Sequence, residues 1–159
     1  MRVYVSILII MALAGCGPIR LPRLPKPIAK PETAVTGVRL VETGANAARY
    51  DIDVALYNPN DEPLPLTFVE YRFEVEGRRY ETDGLPRTTL PASGRVTVTL
   101  PAIVTGDQSP PDSGGYRTSG RITITPEGEV RRLLYTMGWP KPKTSFEGAG
   151  PIGPPAEKP

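Results

Sequence analysis

Residues 49–66, RYDIDVALYNPNDEPLPL, constrain the fold more than any other stretch of this chain. Tyr50, Ile52, Val54 and Leu56 fall on one side, and Arg49, Asp51 and Asp53 on the other. A period of two marks a strand with one buried face and one wet face. Asn58-Pro59-Asn60-Asp61 then stops it. Asn and Asp side chains fold back onto nearby backbone, and proline fixes φ and offers no N–H to a ladder. The downstream chain is therefore expected to pair with this strand or to pack on its apolar face.

The same alternation recurs at short intervals. Val35, Gly37, Arg39 and Val41 alternate loosely against Val38 and Leu40. Pro63-Leu64-Pro65-Leu66 carries two prolines, which argue for an exposed edge or crossing segment. Val69, Tyr71, Phe73 and Val75 oppose Glu70, Arg72, Glu74 and Glu76 in the clearest strand of all. Gly77 opens a turn, and residues 78–82 return as a hairpin partner. Leu90-Pro91-Ala92-Ser93-Gly94 reads as a further turn, followed by a strand through Val96, Val98 and Leu100. Residues 106–115 form a loop rich in Pro, Gly, Asp and Ser, and alternation resumes through Ile122 and Ile124. Thr125-Pro126 offers a cap for a short helix with Val130, Leu133, Leu134 and Met137 on one face and Gly138 at its end. Gly128 disfavours that helix, and an extended excursion over the same residues is the alternative. Trp139 beside Pro140 is expected as a core plug or hinge anchor, and residues 143–148 as a last strand through Phe146.

About seven short strands with frequent turns and at most one short helix indicate an all-β fold, an antiparallel β-sandwich of the fibronectin type III or immunoglobulin-like kind. The single cysteine, Cys16, excludes an intrachain disulfide, so the core must rest on packing. Residues 34–147 hold 13 Lys and Arg against 15 Asp and Glu, a formal charge of −2. Such a balance gives no field that would draw nucleic acid.

The 20 prolines and 16 glycines gather towards the two ends, which implies extended flanks around an ordered middle. Arg2, the apolar run 3–12 and Leu13-Ala14-Gly15-Cys16 make a short secretory signal peptide, too short to span a bilayer. The tetrad resembles the bacterial lipobox. That resemblance implies cleavage between Gly15 and Cys16, a diacylglyceryl group on the Cys16 sulfur, and a palmitate-type acyl chain on the new amino terminus. An uncleaved signal anchor is the alternative. Gly17, where Asp would favour inner-membrane retention, points to the outer membrane. Pro18, Pro22, Pro25, Pro27 and Pro31 favour an extended polyproline II tether. Arg20, Arg23, Lys26 and Lys30 on it suit anionic head groups, at roughly 1 kcal/mol each near a surface. A plain solvated spacer and a proline-rich ligand for a partner are the other readings. The organisation is then a signal peptide over 1–15, a lipidated tether over 16–33, a sandwich over 34–147 and a disordered tail over 148–159.

Taken in order, Asn58-Pro59-Asn60, Pro63 and Pro65, Tyr71 through Gly77, Leu90-Pro91-Ala92 with Gly94, and Val96 through Pro101 resemble the water-stress-and-hypersensitive-response domain. That domain also occurs in group 2 late embryogenesis abundant proteins. The resemblance covers about residues 35–124. It implies a small β-sandwich without catalytic residues, in a family associated with desiccation and stress. Plant members carry a helix where this chain has the loop 106–115.

Enzyme chemistry finds few candidates. With no histidine, a Ser-His-Asp or Cys-His arrangement is impossible. Asp51 and Asp53 lie roughly 7 Å apart on one strand face, a separation at which carboxylates can cooperate, although a solvated polar face is the commoner reason. Asp107 and Asp112 lie in the loop without an established Ca²⁺ ligand spacing. The expectation is a membrane-anchored, non-enzymatic, periplasm-facing lipoprotein with no cofactor, metal, nucleic acid or small-molecule substrate. Its role is protection in desiccation or osmotic stress. The alternative is a scaffold or assembly subunit that binds an envelope protein partner.

Overall fold

A computed structural model describes residues 26–106 and 114–153. Its elements run β1 (Glu32–Thr43), β2 (Ala47–Tyr57), β3 (Leu64–Val75), β4 (Arg78–Gly84), β5 (Thr88–Leu90), β6 (Arg95–Thr105), β7 (Gly115–Ile124), α1 (Glu129–Thr136) and β8 (Lys143–Pro151). All strand pairing between these elements is antiparallel. One sheet has the order β1-β2-β6, and the other the order β4-β3-β7-β8 with β5 beside the start of β3. The chain is an all-β sandwich with one short helix.

β2 is the middle strand of its sheet, pairing with β1 on one side and β6 on the other. Its inward residues Tyr50, Ile52, Val54 and Leu56 are fully buried. They meet the opposite sheet directly, with the Tyr50 and Phe73 rings 5.2 Å apart between centroids. Val69, Tyr71, Phe73 and Val75 with Ile122 and Ile124 from β7 supply the facing layer, while Val98, Leu100, Ala102 and Val104 from β6 extend the layer of β2.

Two breaks in alternation have a common cause. Val35 and Val38 both lean on the core although they are three positions apart, and a register shift between Val35 and Gly37 makes this possible. Leu66 and Val69 show the same odd spacing, with a shift between Leu66 and Phe68. A bulge inserts one unpaired residue and so returns the next side chain to the same face. Glu76 and Gly77 both have positive φ, 48° and 75°, between the paired residues Val75 and Arg78. That geometry is the primed two-residue turn whose twist suits a hairpin, and it explains a glycine at 77.

Several expectations are corrected. Pro63-Leu64-Pro65-Leu66 is not an edge: Leu64 and Leu66 are buried, and residues 64–66 pair with β5. The missing N–H of Pro65 falls at the end of the β7 ladder, where the Pro65 carbonyl accepts from the Thr125 amide at 3.0 Å. The last strand runs past 148, to Pro151, rather than giving way there to a tail. Ile152 is buried and Gly153 bridges to Arg39. Gly148 lies so close to β1 that a Cβ there would stand 2.6 Å from the Val35 Cβ. The domain also begins before residue 34. Pro31 is buried, and its carbonyl accepts from the buried Thr144 hydroxyl at 2.9 Å.

Candidate functional site

The most polar interior of the molecule lies where residues 26–31, the Asn58–Asp61 turn and the Pro91–Gly94 turn meet at one end of the sandwich. Asn58 is fully buried. Its Nδ2 donates to the Glu62 carbonyl at 2.8 Å and to the Pro91 carbonyl at 2.9 Å. Its Oδ1 accepts from the Asn60 backbone amide at 3.0 Å and from the Asn60 Nδ2 at 2.8 Å. Asn60 pairs both ways with Ala29, accepting from its amide at 2.8 Å and donating to its carbonyl at 2.9 Å. The Asn58 amide donates to the Gly94 carbonyl and the Ser93 amide to the Asn60 carbonyl. Ser93 has φ 48°, and a Cβ on Gly94 would lie 2.6 Å from the Pro91 Cγ, so this turn needs a glycine at 94.

The motif residues thus divide. Asn58, Asn60, Leu90, Pro91 and Gly94 belong to one end, with Leu90 buried opposite Leu64. Pro59 and Pro63 are exposed around the same turn, and Pro65 is the second residue of β3, opposite Thr89. Gly77 lies at the far end of β3. Gly15, Cys16, Asp107 and Asp112 lie outside the described residues.

α1 is fastened to this end by an ion pair that sequence reasoning missed. Arg131 is buried, with its Nη1 2.8 Å and its Nη2 2.7 Å from the two carboxylate oxygens of Glu62. Nη1 also donates to the Glu127 carbonyl at 3.2 Å and Nη2 to the Lys26 carbonyl at 3.1 Å. The Glu62 carboxylate raises the Arg131 pKa, which keeps the guanidinium charged in place. No expected cap operates: Gly128 holds the N-cap position at φ 124° and Thr125 makes no cap bond there. The helix is turned so that Arg131 faces inward, with Leu134 and Tyr135 half-buried. Leu133, Met137 and Trp139 are exposed, which corrects both the single apolar face and the reading of Trp139 as a core plug. An arginine inside the apolar stretch was the available signal, but its partner Glu62 is 69 positions away.

Beside α1 opens a groove of about 640 Å³ lined among others by Glu127, Glu129, Arg132, Tyr135 and Lys141. Burial raises the Tyr135 pKa. The groove therefore presents mixed charge and a neutral phenol rather than a paired nucleophile and base.

Asp51 and Asp53 are neutralised structurally. Arg39 Nη1 donates to Asp53 Oδ2 at 2.5 Å and Nη2 to Asp51 Oδ2 at 3.2 Å. Thr99 Oγ1 donates to Asp53 Oδ1 at 2.6 Å, and Arg49 lies 3.7 Å from Asp51. The pair forms an ion network across the outer face of β1, β2 and β6. Among the described residues no cluster of three or more His, Cys, Asp or Glu is placed to hold a metal. Among them also, no helix is long and apolar enough to cross a membrane.

No protein-family model and no curated protein matches the chain. Solved structures do. The solution structure of an Arabidopsis thaliana protein is similar at TM-score 0.54 and 18% identity, over 92% of this chain and 96% of that one. The solution structure of a putative late embryogenesis abundant protein is similar at TM-score 0.52 and 17% identity, over 98% of this chain and 88% of that one. At such identities the likeness is one of fold: this chain has a β fold like that of the putative late embryogenesis abundant protein.

Proposed function

We propose that this chain is a lipid-anchored, non-enzymatic β-sandwich of the cell envelope that protects envelope components during drying or osmotic stress. The observation that carries the reading is the conjunction of Leu13-Ala14-Gly15-Cys16 with a domain folded like a putative late embryogenesis abundant protein. Two acyl chains or more make a stable anchor where one is marginal, so acylation at Cys16 suffices to hold the domain at a membrane. Gly17 in place of Asp supports the outer membrane. A non-enzymatic role is supported by the lack of histidine and by Arg39 occupying both Asp51 and Asp53. The polar hub around Asn58 serves the fold and leaves no side-chain donor aimed at a ligand.

The test is a deletion strain dried and rehydrated beside its parent. Lower survival together with a leakier envelope is expected. Equal survival and equal permeability would overturn the protective role, while acylation of Cys16 can be read separately from the mass of the mature protein.

A further inference from the structure

Five large apolar side chains are exposed among the described residues: Leu85, Ile103, Leu133, Met137 and Trp139. Leu85 and Ile103 stand singly, which is ordinary for a protein surface. The other three fall within residues 133–139, at 60%, 69% and 61% exposure. At about 100° per residue, Leu133 and Met137 lie about 200° and 240° around α1 from Arg131. Because Arg131 points into the molecule, these two point away from it. The ion pair with Glu62 fixes that rotation, so their exposure is built into the fold.

The place of this patch decides what covers it. The Lys26 carbonyl accepts from Arg131, so the chain enters the domain against the inner side of the same helix. Nine residues, 17–25, lie between Cys16 and Lys26, a span of ten Cα–Cα steps. Ten such steps reach at most about 35 Å when fully extended. A leaflet holding the acyl chains of Cys16 is therefore within reach of this end at all times, at high effective concentration. Trp139 has the amphipathic ring that favours the membrane–water interface, and Leu133 and Met137 supply apolar depth. Arg132, Lys141 and Lys143 are exposed nearby, although Glu127 and Glu129 are too. With signs mixed, apolar insertion rather than charge is the dominant attraction.

We infer that the outer side of α1 and the Gly138-Trp139 turn form a membrane-docking face, with Leu133, Met137 and Trp139 seated in the interface of the bilayer that holds Cys16. This rests on the lipid-anchor reading proposed above. Docking would set the sandwich upright on the membrane, with the β3–β4 turn at Gly77 directed away from it.

Trp139 is the single tryptophan of the chain and reports its own surroundings. The full acylated protein is purified from membranes, its amino-terminal mass is measured, and it is placed in phosphatidylethanolamine–phosphatidylglycerol vesicles with and without brominated acyl chains. Bromines should quench most of the tryptophan emission, and its maximum should lie to the blue of that in detergent-free buffer. A Leu133→Ser, Met137→Ser double variant keeps the anchor and the circular dichroism of the sandwich but should lose most of the quenching. Acylated protein whose Trp139 is not quenched would overturn docking and leave the anchor standing. Undiminished quenching in the double variant would overturn the role of the helix face. A mass showing no acyl group on Cys16 would overturn the anchor and docking together.

Discussion

Asn58 makes four side-chain hydrogen bonds while fully buried, and its amide makes a fifth. Each buried donor or acceptor left without a partner costs about 1–3 kcal/mol. Asn58→Ala strands the Glu62 and Pro91 carbonyls and the Asn60 amide at once. A loss of about 3 kcal/mol is expected, because the stranded groups relax together rather than adding in full. Urea unfolding checks this: the midpoint should fall with the slope unchanged, and a drop within about 0.5 kcal/mol would show an ordinary surface turn. The turn itself was legible from Asn-Pro-Asn. The hub was not, because its partners Ala29 and Pro91 lie 31 and 33 positions away. Tyr71 gives the pH dependence. Its hydroxyl donates to the Pro101 carbonyl between the sheets. Burial, then the charges of Tyr80 and Asp51, raise its pKa above the ordinary 10.0. A raised folded pKa means that the fold favours the protonated phenol. That contribution is whole below about pH 10 and is lost as pH climbs towards the folded value. The natural chain should therefore lose stability above about pH 10. Tyr71→Phe should start about 1 kcal/mol lower for its missing hydrogen bond, yet fall less steeply by up to about 1.4 kcal/mol per pH unit. Parallel alkaline slopes for the two proteins would contradict this.

At the scale of elements, period-two alternation made the strands legible, and the bulges hid where they joined. Val35 with Val38, and Leu66 with Val69, violate parity only because an inserted residue resets the face. The prolines at 63 and 65 suggested an edge, yet β5 covers residues 64–66 because Pro65 loses its N–H only where the β7 ladder ends. Of the two readings open for residues 127–137, the short helix is the one that forms, but its expected apolar face is wrong, since a helical stripe cannot reveal that one arginine outweighs it. Eight residues form a marginal helix in water, so tertiary fastening must hold this one. Arg131→Met removes the fastening to Glu62, Glu127 and Lys26 together. Glu62 is about one-third exposed and can regain water, so the global cost should be near 2 kcal/mol rather than that of a sealed pair. The distinctive effect is local. Hydrogen exchange over Glu129–Thr136 should rise well before that of β2 and β3. Uniform acceleration across both sheets would show that α1 is integral to the core instead.

For the whole molecule, the two sheets leave the polar hub and α1 at one end and the Gly77 turn at the other, and the chain enters at the first end through residues 26–31. That entrance was hidden from sequence reasoning. Residues 26–33 read as proline-rich tether, and only their long-range partners, Asn60 for Ala29 and Thr144 for Pro31, make them part of the domain. The consequence is a short connection: nine residues, 17–25, lie between Cys16 and the domain, and the helix is fastened to Lys26, which follows them. On the proposed anchor and docking face, two membrane contacts of unequal strength would follow. Acyl chains at Cys16 would hold almost irreversibly, whereas three interfacial side chains on a short helix would hold weakly and reversibly. Their removal can be separated. Replacing residues 1–16 by a leader cut by a general signal peptidase deletes the acyl site and leaves the domain and its helix face unaltered. The exported protein should then move from the membrane pellet to the soluble fraction on dilution. It should retain only a weak, dilution-sensitive association that Leu133→Ser with Met137→Ser abolishes. A leader-swapped protein that still pellets wholly with membranes after dilution would mean that something other than Cys16 anchors the chain.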